Sequence, residues 1–99
     1  MKERDVSRYL NKRVKELGGE IRRVRWIGRN HAPDKLILLP GTCAFVEEKR
    51  TGKGAEEGQR REHHRLARSG LRARVLASEE DVDRLLARMA DEMTREGGP

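Results

Sequence analysis

The sequence predicts an α/β domain, a mixed sheet with helices packed against it in the order αβββαβα, and three patterns point to it. Apolar residues recur at helical spacing near both ends of the chain. Between them, a short apolar run and a second strand-like segment flank Pro40-Gly41-Thr42, as in a β-hairpin. An alternating stretch follows a helical segment, so one strand is reached through a helix.

The elements follow in order. Residues 3–18 read as a helix, with Val6, Leu10, Val14 and Leu17 on one face, Tyr9 beside them and Gly18-Gly19 as the stop. Residues 20–26 carry Ile21, Val24 and Trp26 among arginines and read as a strand, followed by a loop over 27–33. Lys35-Leu36-Ile37-Leu38-Leu39 is a continuous apolar run, which suits a strand covered on both faces. After the turn at 40–42, residues 43–49 form the return strand. A glycine-bearing polar loop covers 50–58, and 59–69 reads as a helix with Leu66 and Ala67 inward and Gly70 as its end. In 71–76, Leu71, Ala73 and Val75 alternate with Arg72 and Arg74. Ser78, with Asp81 three residues on, caps a last helix that carries Val82, Leu85, Leu86, Met89 and Met93 on one face. The whole reads as one domain over 1–94 with a frayed tail at 95–99.

Composition narrows the function. Of the 99 residues 34% are hydrophobic and 40% charged, with a net charge of +6 and arginine well ahead of lysine. A guanidinium is a planar fork of donors that matches phosphate, and small basic domains meet nucleic acid more often than membranes. The single cysteine, Cys43, allows no internal disulfide, which fits a reducing compartment. There is neither a membrane-length apolar run nor an apolar segment behind the charged start, so an intracellular, cytoplasmic protein is expected.

Chemistry concentrates at one end of the hairpin. Asp34 stands at the entrance to its first strand, and Glu47 and Lys49 near the end of its second. Side chains two apart on a strand share a face about 7 Å from each other, and the turn brings Asp34 roughly opposite them. Two carboxylates so close repel unless something positive lies between them. Oxygen ligands of this kind suit Mg²⁺ or Mn²⁺, which polarise a phosphoryl oxygen and acidify bound water. Lys49 would orient the nucleophile or neutralise charge on the pentacoordinate phosphorus.

Pro33-Asp34 followed by Glu47-Glu48-Lys49 resembles the signature of the PD-(D/E)xK nuclease superfamily, whose restriction-endonuclease-like core has this element order. More narrowly the chain resembles the short, stand-alone form of the virus-type replication-repair nuclease (VRR-NUC) domain. The residues that carry this are Tyr9-Leu10, Gly18-Gly19, Trp26-Ile27-Gly28-Arg29, Ala32-Pro33-Asp34, Phe45-Val46-Glu47, Gln59 and Arg61-Glu62-His63. The resemblance implies a metal-dependent DNA endonuclease in which Asp34, Glu47, Lys49 and Gln59 are catalytic. Asp34, Glu47 and the main-chain carbonyl of Glu48 would bind the metal, and Glu3 would support it through water. It also implies a homodimer acting on branched DNA such as four-way junctions, with Met89 and Met93 of the last helix as candidates for the interface. A non-catalytic nucleic-acid-binding module on the same fold is the competing reading.

Two positions depart from the family pattern. His31 stands where a small residue, usually glycine, is found. Glu48 stands where an apolar one is usual, on the strand face of Ala44 and Val46. A buried carboxylate is costly, so Glu48 is expected either to reach solvent or to pair with an arginine. Arg22, Arg23, Arg25 and Arg29 before the hairpin, with Lys53, Arg60, Arg61 and Arg65 after it, read as phosphate contacts. His63 and His64 are adjacent, a poor chelating geometry, and read as solvated or DNA-facing. Cys43 reads as a small core residue, and Trp26 as packed on the sheet rather than stacked on a base.

Overall fold

The computed structural model describes residues 1–96, and their side chains as far as residue 93. It contains α1 (Glu3–Glu16), β1 (Glu20–Arg23), β2 (Lys35–Leu39), β3 (Thr42–Glu48), α2 (Glu57–Arg68), β4 (Ala73–Leu76) and α3 (Glu79–Glu96). The order is the expected αβββαβα. Residues 97–99 of the expected tail lie outside the described residues, while Arg95 and Glu96 continue α3.

The four strands lie in the order β1-β2-β3-β4, antiparallel up to β3 and parallel between β3 and β4. The parallel pair is what the crossover through α2 requires. Helices α1 and α3 cover one sheet face. Val6, Leu10 and Val14 from α1 meet Val82, Leu85, Leu86 and Met89 from α3, over Ile37, Leu39, Ala44, Val46 and Leu76 of the sheet. Helix α1 stops because Gly18 takes a left-handed φ of 75°, and the amides of Gly18 and Gly19 close back on Lys15 O and Val14 O. Gly19 also has no room for a Cβ, which would fall 2.2 Å from a Leu39 methyl and 2.7 Å from Leu38 O. At α3 the Ser78 hydroxyl accepts the Asp81 amide, and the Asp81 carboxylate accepts the Ala77 amide.

Several expectations are corrected. Strand β1 ends at Arg23 rather than Trp26, and β4 begins at Ala73, leaving Leu71 exposed. Strand β2 is buried through Ile37 and Leu39 only. Leu36 and Leu38, on the face that α1 and α3 do not cover, stay half-buried. Cys43 is exposed, because its parity places it on that same face beside Phe45. In α2, Ala67 is exposed and the buried residue is Glu62. Met89 is wholly inaccessible at the α1–α3 core and so offers no dimer surface, while Met93 is partly buried against that core.

Candidate active site

The turn at Pro40-Gly41 fixes the register of β2 on β3, which runs from Thr42 to Glu48 rather than from 43 to 49, and pairs Lys35 with Val46. One step further along the ladder Asp34 faces Glu47. The Asp34 amide donates to Val46 O (3.0 Å), its carbonyl accepts from the Val24 amide (2.9 Å), and its carboxylate accepts the Glu48 amide (2.7 Å). Three backbone-anchored bonds thus hold Asp34 at the strand end.

Glu47 is 2% exposed. Its Oε2 accepts from Gln59 Nε2 at 3.1 Å, and its Oε1 lies 3.5 Å from His63 Nε2. Burial, then the charge of Asp34 beside it, push its carboxyl up to about 8, against a smaller pull from Lys49; Glu3 adds to the repulsion. Three of the expected residues, Asp34, Lys49 and Gln59, therefore act on Glu47, and Glu3 acts on it electrostatically from the first turn of α1.

Gln59 serves two purposes. Its Oε1 accepts the Glu56 amide at the start of α2 (2.9 Å), completing one half of a capping box. With the oxygen fixed, the amide nitrogen points at Glu47.

His63 is the residue that sequence reasoning missed. It is not solvated. It is half-buried against Glu47, and burial, stronger than the pull of Asp34 and Glu62, holds its pKa below the usual histidine value. The missed signal was spacing: His63 stands four residues after Gln59, hence on the same helix face. His64 is exposed.

Glu48 is buried, and its partner is neither solvent nor an arginine. Lys35 Nζ bonds its carboxylate at 3.1 Å and the Ser7 hydroxyl at 2.6 Å. Charge compensation comes from the neighbouring strand, so the hairpin tolerates a carboxylate on its core face.

His31 has φ 70°, the left-handed region where glycine is at ease, which accounts for the usual small residue there. Its ring rests on Gly58, where a Cβ would fall 2.4 Å from the imidazole. We expect His31→Gly to keep stability within about 1 kcal/mol, and His31→Ala to cost more, since alanine keeps the Cβ strain and loses the ring contact. Urea unfolding of the two variants checks the order.

The basic residues divide. Arg22 shares Glu47's sheet face and is held by Glu20, whereas Arg23 points to the opposite face, into a cavity that Glu3 and Glu48 also line. Arg29 and Arg65 both bond Glu62, and Arg61 pairs with Glu57. Arg60 donates to Ala55 O, and the exposed Arg25 and Lys53 side chains make no ion pair among the described residues. Trp26 packs edge-on against Phe45 at 5.8 Å, as expected, and its indole N–H donates to Glu62.

The residues present fit a hard divalent ion. The Glu47 Oε1 atom is buried with no hydrogen-bond partner, and the acidic pair faces itself. Among the described residues no three His, Cys, Asp or Glu side chains form a ready-made cage. An ion here would draw on two carboxylates, a main-chain carbonyl and water, the mixed shell Mg²⁺ accepts.

A sheet of this topology, with acidic groups facing across the β2–β3 ladder and a lysine two residues on, defines a nuclease-type domain of the PD-(D/E)xK-like fold. A solved structure described as "VRR_NUC domain" is similar to this chain at 37% identity and a TM-score of 0.79, over 86% of this chain and 94% of that one. The chain belongs to the VRR_NUC domain family. No protein-family model matches the chain, and the search of curated proteins finds no match. Among the described residues no helix is long and apolar enough to cross a membrane.

Proposed function

We propose that the protein is a metal-dependent DNA endonuclease that hydrolyses phosphodiester bonds, with Asp34, Glu47, Lys49 and Gln59 at its centre. The observation that carries the reading is the carboxylate pair itself. Glu47 is buried, faces Asp34 across the ladder and has an oxygen without a donor, a costly arrangement that a cation relieves. When bound, Mg²⁺ or Mn²⁺ supplies Lewis-acid activation of the scissile phosphate. Asp34, Glu47 and the Glu48 carbonyl would hold the ion, and Glu3 would support it through water. Gln59 holds the Glu47 carboxylate through Oε2, and His63 packs beside the other oxygen at 3.5 Å without a hydrogen bond to it. Lys49 offers its ammonium to the charge that develops on phosphorus. Arg22, Arg25, Arg29, Lys53, Arg60 and Arg61 are assigned to backbone phosphates, which position DNA without reading bases, whereas Arg23 faces the other side of the sheet beside Glu3 and Glu48.

Incubation with supercoiled DNA and Mn²⁺ is expected to give nicking that EDTA abolishes and that Asp34→Ala and Lys49→Ala both lack. Salt-sensitive binding without nicking would replace this reading by the non-catalytic module. A preference for four-way junctions and a twofold dimer belong to the same proposal. The apolar surface in favour of a dimer is the part of the α2-side sheet face around β2, with the half-buried Leu36 and Leu38 and the exposed Cys43, together with Ile27, which is 97% exposed. Equal cleavage rates on a junction and a matched linear duplex would remove the junction preference. A monomeric mass by light scattering would remove the dimer.

A further inference from the structure

We propose that the cleft between β4 and α3 is a second anion site, which takes a backbone phosphate of a DNA arm other than the one at the cutting centre. The identity of the anion rests on the nuclease reading above; the site itself rests on charge. The cleft has a volume of about 190 Å³ and is lined by Arg72, Arg74, Arg84 and Arg88, with Asp81 as its one acidic residue.

The four guanidiniums are not equally committed. Arg72 is spent on Glu92 through two parallel bonds of 2.9 and 2.7 Å, and on Thr42 besides. Asp81 is engaged by the Ala77 amide, and its other oxygen is only within 3.5 Å of Arg84. Arg74 reaches no carboxylate, only the carbonyl of Ala73. Arg88 makes no ion pair among the described residues, and stands one turn from Arg84 on the same face of α3. Two fully uncompensated guanidiniums and one loosely held one therefore surround a single hollow. An anion with several oxygens satisfies that arrangement, and the guanidinium fork favours phosphate.

The site's position says which phosphate. Along β4, Arg74 and Leu76 alternate with Val75, and Leu76 belongs to the core beneath α3. Val75 is the register partner of Glu47 and shares a surface with His63 on the α2 side. Val75 also lines the cleft, so the cleft opens at the β4 edge of the sheet, while the carboxylate pair lies on the α2 face, one strand further in. DNA that touches both must pass round the β4 edge. Short duplexes are stiff, so the molecule that does this is branched or sharply bent.

The test is anisotropy of the full chain in EDTA, across a salt series, with a fluorescent four-way junction and with a short linear duplex. For Arg74→Ala/Arg88→Ala, junction binding is expected to weaken about tenfold, with the slope of log K against log salt reduced by about one. The reduction should be confined to the junction. The same reduction on both DNAs, or none on either, overturns the second site. Arg88→Gln alone, on an exposed helix position, gives the same readout in smaller measure should the double variant fold poorly. Junction binding that depends on these arginines in a protein that never nicks with Mn²⁺ would leave this site standing and sink the endonuclease. Nicking with an unchanged slope would do the reverse.

Discussion

Glu47→Gln is expected to lower metal-dependent nicking by about a hundred- to a thousandfold and, in the same protein without metal, to raise stability at pH 8. The loss of activity follows from removing one charged ligand of the proposed ion. The gain in stability follows from the carboxylate pair. Glu47 has an ordinary value of 4.5, raised to about 8 by burial and then by Asp34. An acid whose folded pKa is raised keeps, when folded, a proton that the unfolded chain has already lost. Stability therefore falls as pH rises from 4.5 towards 8, and the penalty is complete above the folded value. Glutamine carries no charge, so it escapes the penalty while still able to bond Gln59. The variant should match the wild type near pH 4.5 and exceed it by on the order of 1–3 kcal/mol at pH 8 and above, read by urea unfolding in EDTA. Mg²⁺ should raise the melting temperature of the wild type at pH 8 and leave that of the variant where it was. Parallel pH profiles for the two proteins would mean that Glu47 is not strained by its neighbour.

What was legible in the sequence depended on periodicity. The apolar faces of α1 and α3 recur every three or four residues, so Val6, Leu10, Val14, Val82, Leu85 and Leu86 were found directly. The opposition of Asp34 and Glu47 was also readable, because a tight turn at Pro40-Gly41 fixes a ladder whose side chains alternate with period two. What failed lay in contacts between elements distant in the chain. Lys35 read as the first residue of an apolar run, yet its amine crosses to Glu48 and Ser7. Cys43 reads as core although it has the parity of Glu47, because nothing local says which sheet face will receive α1 and α3. Two adjacent histidines chelate badly, so the sequence reads His63 as solvated or DNA-facing. The relevant pair was Gln59 with His63, one turn apart on α2, and only the packing of α2 over β4 aims them at Glu47. Met89 lies on the same apolar stripe as the other α3 core residues, and the α1–α3 packing that occupies it is invisible in the sequence.

Glu62→Ala should produce the second large effect, on stability and on the loop that leads into Asp34. Glu62 is the one buried residue of α2, and it is charged. It accepts from the Trp26 indole at 2.7 Å, from Arg29 Nε at 3.2 Å and from Arg65 Nη1 at 3.2 Å. Burial pushes its carboxyl up, but the Trp26, Arg29 and Arg65 donors outweigh that and hold it below the ordinary range. Two of the donors come from the segment between β1 and β2, so Glu62 ties that segment to α2. Alanine leaves the indole N–H without its acceptor, which costs about 1–3 kcal/mol. The two arginines are half-exposed, so each ion pair adds no more than about 1 kcal/mol. A total loss of about 2–4 kcal/mol is expected in urea unfolding at pH 7. Trp26 is the only tryptophan, so its emission reports the loop directly and should shift to the red in the variant. The wild type should show the same shift on acidification. A lowered folded pKa gives stability that is present above the unfolded value of 4.5 and is lost as pH falls through the folded one. Glu62→Gln keeps an acceptor for the indole and gives up only the ion pairs, so it should recover about half of the loss at pH 7. Equal destabilisation by alanine and glutamine would show that the guanidinium contacts, and not the indole hydrogen bond, hold the loop in place.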